Sequence, residues 1–178
     1  DVTALLAATY QAGGSAIHGP VLTSFAEADA ASQDALRAAI DAEARQWQLH
    51  GEGAGFEAPI IGGNLEVLTR LIGTAIQPEY KGKVVVLEEV GEPWYRCDRA
   101  LTHLLASTDL NQARAIVFGA FVNCGQGALE RLVKRVQGLG LKALSGAPVG
   151  HGSANQTFVW GERAVYEQGT LTLTGARP

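Results

Sequence analysis

The 178 residues, 47% of them apolar, are enough for one domain with a sizeable buried core. Fourteen basic and 18 acidic residues are interspersed and sum to −4, which leaves no basic stripe for a phosphate backbone and argues against nucleic acid as a partner. No apolar run approaches the ~20 residues that span a bilayer, and no charged segment followed by a short apolar run opens the chain, so neither membrane insertion nor a retained signal is expected.

Residues 2–10 place Val2, Leu5, Leu6 and Thr9 or Tyr10 on one helical face, and Gly13-Gly14 stops that helix. A short strand is expected over 15–17. Residues 32–47 read as a second helix with Leu36, Ala39, Ile40 and Ala44 as a weak apolar stripe, which suits a surface position. The stretch 50–57 holds three glycines and little apolar content, the composition of a linker. The expected division is therefore 1–50, the remainder of an N-terminal domain, then a linker at 51–57 and a second domain at 58–178.

Beyond the linker, Gly62-Gly63-Asn64 leads into a helix over 65–72, with Asn64 as its N-cap and Gly73 as its end. Residues 83–87 form a β-branched run, the mark of a strand covered on both faces, with Glu88-Glu89 at its C-terminal end. A helix over 98–106, a strand over 115–118 and a helix striped by Leu129, Leu132, Val133 and Val136 follow. Short strands at 156–160, 164–166 and 170–174, with turns between, predict an antiparallel edge. Alternating strands and helices place the chain in the α/β class.

Cys97 and Cys124 are scattered thiols without metal-ligand spacing; they fit a reducing compartment and are expected to be unpaired, with no metal bound. The chain has no methionine and begins with Asp1, so the expectation is that a segment upstream has been removed by processing or truncation. No neighbour for the strand at 15–17 is evident within the chain. That strand, and the apolar face of Val2, Leu5 and Leu6, are expected to be covered by an upstream half.

Four histidines are candidates for chemistry. His50 lies in the polar linker and His103 on a helix among leucines, and neither is assigned a role. His18, between Ile17 and Gly19-Pro20, suits either a structural hydrogen bond or catalysis. His151 stands between Gly150 and Gly152 in a loop of small residues, which is either an incidental glycine turn or a loop built for close approach of a substrate. Glu88, at the end of a buried strand, is either a cap or ion-pair partner for Arg96 or Arg99, or the orienter of an imidazole. A glutamate and a histidine from separate segments are the orienter and base that a hydroxyl nucleophile needs. Ser107, Ser145 and Ser153 are available, but none sits in a strand-to-helix elbow that exposes a nucleophile beside an oxyanion donor. From the residues alone the triad is incomplete.

The blocks Ala58-Pro59-Ile60-Ile61-Gly62-Gly63-Asn64-Leu65, Gly82-Lys83-Val84-Val85-Val86-Leu87-Glu88-Glu89, Tyr95-Arg96-Cys97-Asp98-Arg99 and Gly150-His151-Gly152, in this order and spacing, resemble the serine LD-carboxypeptidases of the LdcA and MccF type. The likeness covers essentially the whole chain. It implies a Ser-Glu-His triad in which Glu88 orients His151, with Glu89 a neighbour, and a substrate-binding or site-shaping role for Asn64 beside its capping role. The family's nucleophile elbow reads Gly, aromatic, Ser, Asp, aliphatic, Thr, and Asp1-Val2-Thr3 continues it from just after the serine. The resemblance thus implies that the serine lies outside this chain and that the main-chain N–H of Asp1 is the oxyanion donor. The implied fold is the end of a Rossmann-like N-terminal layer followed by a mixed β-sheet domain with flanking helices. The implied activity is release of terminal D-alanine from murein tetrapeptide in cell-wall recycling, in the cytoplasm, without metal or cofactor. The implied partners are the murein peptide, an upstream half carrying the serine, and a second copy in a homodimer. Two other readings stand beside it, a microcin-immunity-type amide hydrolase of the same family and a non-catalytic binding fragment.

Overall fold

The computed structural model describes residues 1–152 and 154–175; Ser153, one of the serines considered above, lies outside them. The chain runs α1 (Val2–Gln11), β1 (Ile17–His18), α2 (Ala30–Ile40), β2 (Arg45–Gln48), β3 (Phe56–Asn64), α3 (Leu65–Arg70), β4 (Val84–Val90), α4 (Trp94–Ser107), β5 (Ala115–Val122), α5 (Ala128–Gly138), β6 (Ala143–Ser145), β7 (Phe158–Val159), β8 (Arg163–Glu167) and β9 (Thr170–Leu173). Seven strands form one mixed sheet in the order β2-β9-β8-β3-β4-β5-β6, and β1 pairs with β7 in a second, two-stranded sheet. Strands β3 to β6 run parallel. The β3-β8, β8-β9 and β9-β2 pairs are antiparallel. The molecule is therefore a mixed α/β fold with flanking helices.

The core follows from composition. Val84, Val85, Val86 and Leu87 of β4 are all 0% exposed, so both faces of this parallel strand are covered, as a continuous β-branched run requires. Leu132 and Val136 of α5 and Leu101 and Leu104 of α4 are buried in the same core. Polar residues at their other helical positions face solvent, the ordinary amphipathic arrangement.

Two expectations are corrected. The second helix ends at Ile40, and residues 45–48 are β2, whose burial alternates with Arg45 and Trp47 inward and Gln46 and Gln48 outward. A positive φ of 57° at Ala42 breaks the helix, and the burial of Trp47 against the sheet overrides a helical pattern that was weak from the start. The strand expected at 15–17 is Ile17–His18, and it has a neighbour in this chain: Ile17 lies opposite Val159 and His18 opposite Phe158. Helix α1 packs on α3, β1 and β3 and buries Leu6 and Ala7 there, leaving Val2 and Leu5 exposed. The 51–55 segment has no regular structure, and β2 on its N-terminal side is hydrogen-bonded to β9 on its C-terminal side.

Candidate active site

Parallel strands end on the same side of a sheet, and β3 and β4 are in register so that Asn64 lies opposite Glu88. Such carboxyl ends are where α/β sheets collect functional groups. The Gly62-Gly63-Asn64 sequence explains how the first of these ends is built. A Cβ on Gly63 would lie 2.7 Å from Thr3 Oγ1, so the missing side chain lets the first turn of α1 settle on β3. The Asn64 N–H then donates to Thr3 Oγ1 at 3.1 Å, while Asn64 Oδ1 accepts from Val67 N–H at 3.0 Å and caps α3. Asp1 caps α1 through Thr3 N–H. The start of the chain is thereby held beside the end of β3.

Glu89 closes this frame. Its carboxylate accepts from Asn64 Nδ2 at 2.8 Å, from Glu66 N–H at 2.9 Å and from Val90 N–H at 2.9 Å, which binds the ends of β3 and β4 to the first turn of α3. From the sequence, Glu89 is only a neighbour of Glu88. The adjacent acids at the end of a buried strand were the signal, but the donors come from elements that only the fold assembles.

His151 arrives from the segment after β6. That segment is pinned by Ala120 N–H donating to Val149 O at 2.8 Å and by Gly150 N–H donating to Asn155 Oδ1 at 3.1 Å. Gly150 has φ +122°, and a Cβ there would lie 2.8 Å from Glu88 Oε2, so only glycine lets the loop lie directly on the carboxylate. His151 Nδ1 then sits 2.8 Å from Glu88 Oε2. The glutamate is buried at 1% exposure, whereas the His151 side chain is 55% exposed. Burial raises the Glu88 carboxyl above its ordinary value, and the hydrogen bond to His151 opposes that shift. With Nδ1–H donated to the carboxylate, Nε2 keeps its lone pair and can serve as a base. The alternative partners for Glu88 are elsewhere: Arg96 pairs with Glu92, and Arg99 lies over the Tyr95 ring.

These groups line one cavity of about 840 Å³ that includes Asp1, His18, Asn64, Glu88, Glu89 and His151. Among the described residues of its lining, Thr3 carries the only hydroxyl, and that group is 4% exposed and bonded to Asn64. Ser107 ends α4 and Ser145 ends β6, outside this lining. Of the other histidines, His50 forms a backbone bridge with Ser145, and His103 lines a separate groove with Arg70, Arg96 and Arg99. Among the described residues no group of three or more His, Cys, Asp or Glu side chains is placed to hold a metal ion. Cys97 and Cys124 are buried and unbridged, and burial pushes the Cys97 thiol up to about 12. No described helix is long and apolar enough to cross a membrane.

Comparison with known proteins gives a consistent family. The model of the LD-carboxypeptidase C-terminal domain matches residues 57–165. The murein tetrapeptide carboxypeptidase of Pseudomonas aeruginosa is 35% identical over 190 residues, covering 96% of this chain and 62% of that protein. A probable murein peptide carboxypeptidase of Bacillus subtilis is 31% identical over 115 residues, covering 61% of this chain and 36% of that protein. Among solved structures, a muramoyltetrapeptide carboxypeptidase from Oxalobacter formigenes superposes with a TM-score of 0.86 at 23% identity, covering 100% of this chain and 67% of that one. The microcin C7 self-immunity protein MccF, in complex with aspartyl sulfamoyl adenosine, superposes with a TM-score of 0.79 at 21% identity, covering 97% and 65%. These structural likenesses show the fold. The chain spans about three-fifths of the length of the Pseudomonas relative.

Proposed function

The chain belongs to the LD-carboxypeptidase family through its C-terminal domain, and on that premise we propose that it carries the base and orienter of a serine carboxypeptidase acting on murein tetrapeptides. The observation that carries this reading is the contact of 2.8 Å between His151 Nδ1 and a buried Glu88 carboxylate, open to a cavity on the imidazole side. In this reading a serine outside this chain attacks the carbonyl between the L-centre of meso-diaminopimelate and the terminal D-alanine. His151 Nε2 accepts the serine proton, and Glu88 stabilises the imidazolium that forms. The main-chain N–H of Asp1, in peptide linkage to that serine, donates to the oxyanion. His151 then passes its proton to the amine of the departing D-alanine, and water, deprotonated by His151, hydrolyses the acyl-enzyme. Asn64, on the cavity wall and fixed by Glu89, contacts the bound peptide. The setting is cell-wall recycling in the cytoplasm by a homodimer.

Relatives named for murein cleavage support this substrate at 31% to 35% identity, whereas the likeness to the microcin immunity protein is one of fold at 21%. The deciding experiment incubates the whole protein with L-Ala-γ-D-Glu-meso-diaminopimelyl-D-Ala and follows D-alanine by chromatography and mass spectrometry. Turnover is expected, with a fall of about 1,000-fold or more in His151→Ala. Cleavage of a peptidyl nucleotide in place of the tetrapeptide would transfer the site to amide hydrolysis of the microcin-immunity kind. No hydrolysis of either would leave a binding role.

A further inference from the structure

The cavity has a second imidazole that the triad does not use. His18 ends β1 and lies opposite Phe158 of β7, with its ring stacked on the Phe158 ring at a centroid distance of 4.8 Å and an interplanar angle of 18°. The backbone beside it lies close to the segment that leads into β7, since a Cβ on the next residue, Gly19, would lie 2.5 Å from Thr157 Oγ1. His18 is 8% exposed and shares the lining of the cavity with Glu88 and His151. Its Nδ1 is buried with no hydrogen-bond partner outside its own residue. A phenyl ring would pack on Phe158 without burying an unpaired polar atom, so a polar ring here is unfavourable for the fold alone and calls for another role.

A carboxypeptidase has to recognise a terminal carboxylate, and carboxylates are recognised by N–H donors. Among the described residues, the cavity lining contains neither lysine nor arginine. Of the side-chain N–H groups that line it, Asn64 Nδ2 is engaged by Glu89 and His151 Nδ1 by Glu88. Within this chain the second hydrogen of Asn64 Nδ2, His18 and the amide of Asn155 remain. Asn155 is tied to the His151 loop through Gly150, whereas His18 is fixed on a strand. The terminal carboxylate lies one residue beyond the scissile carbonyl, about 3.8 Å between consecutive Cα atoms, so its donor must stand beside His151. We propose that His18 is a substrate-binding residue whose imidazole N–H receives the terminal carboxylate of the peptide, an assignment that rests on the carboxypeptidase reading above.

The electrostatics agree. Burial, and next the charge of His151, lower His18 to a pKa of about 4 against a hydrogen bond to its own backbone that raises it, so at neutral pH the ring is uncharged and carries one N–H. The carboxylates around the cavity are largely partnered: Glu66 and Glu92 by Arg70 and Arg96, Glu88 by His151, and Glu89 by three donors.

The test uses the whole protein, with His18→Phe, which keeps a ring to stack on Phe158, and His18→Gln, which keeps an N–H. Each is assayed on a tetrapeptide ending in D-alanine and on the same peptide ending in D-alaninamide. His18→Phe should raise KM for the acid by about tenfold or more with kcat within about threefold, and leave KM for the amide unchanged. His18→Gln should recover part of the loss. An equal rise on both peptides, or a fall confined to kcat, overturns the assignment. Should His18→Phe fail to fold, D-alanine is titrated into the wild-type protein labelled with ¹⁵N at histidine. The His18 ring resonances should move, and their standing still at saturation also overturns it. Failure of the wild type to cleave either peptide would remove the carboxypeptidase reading, and the D-alanine titration would still decide His18.

Discussion

Glu88 and His18 both face the cavity with their titration displaced by burial, and in each case the displacement has a measurable cost to the fold. The Glu88 carboxyl is raised above its ordinary value of 4.5, so the folded chain binds that proton more tightly than the unfolded one. Its contribution to stability is present below the ordinary value and is lost as pH rises through the raised one. Burial thus disfavours the ionised carboxylate, and Glu88→Gln should leave unfolding stability equal or higher at neutral pH while abolishing turnover. Denaturant titration at neutral pH checks this, and a less stable variant would show that the ionised pair supports the fold. His18 has the opposite sign. Its pKa falls from 6.5 to about 4, so stability is present above the ordinary value and declines as pH drops between these two values, by roughly 3 kcal/mol at most. His18→Phe should flatten that part of the stability profile, and an unchanged slope would place the acid sensitivity in other groups.

At the scale of elements, the site depends on close approaches that glycine allows and on a cap that ties them. Gly63 brings Thr3 to β3, Thr3 Oγ1 accepts from Asn64 N–H, and Asn64 caps α3. Gly63→Ala should therefore destabilise the protein by about 1 to 3 kcal/mol through overpacking. Thr3→Ala in the same chain should recover part of that loss, because the colliding hydroxyl and methyl groups go with it. Thermal unfolding of the two single variants and the double variant makes the cycle, and additive effects would mean that the two residues do not meet. Much at this scale was legible beforehand. The cap at Asn64, the striped helix α5, the buried run of β4 and the hairpin of β8 and β9 all rest on local pattern. The boundary of α2 was not legible, since its apolar stripe was weak, and Trp47 belongs to a strand only because the sheet offers it a buried place.

Across the whole molecule, one buried ion pair joins distant parts of the chain. Arg45 Nη2 lies 2.5 and 2.6 Å from the two oxygens of Glu162, with both side chains almost fully buried. Arg45 also donates to Thr157 O and Glu43 O, and Glu162 accepts from Val159 N–H. The pair thus connects β2 to the turn between β7 and β8. Arg45→Met alone leaves a buried carboxylate without its cation and should cost about 3 to 5 kcal/mol, whereas Arg45→Met with Glu162→Gln should cost markedly less. Chemical denaturation distinguishes the two, and an equally unstable double variant would assign the loss to packing.

The sequence by itself determined the alternation of strands and helices, the strand that ends in Glu88-Glu89, the Asn64 cap and the glycine-bracketed His151, because each depends on neighbours within a few residues. It also carried the family resemblance in the order of its motifs. The resemblance named Glu88 and His151, 63 residues apart, as partners, but their 2.8 Å contact, the binding of Glu89 to three donors, and the pairing of β1 with β7 were decided only by the tertiary structure. No local pattern encodes them, because register between distant segments is set by which surfaces the whole chain can bury together. His18 shows the difference most sharply: its sequence neighbours left a structural bond and a functional role open, and only folding put it, buried, on the wall of the cavity that His151 lines.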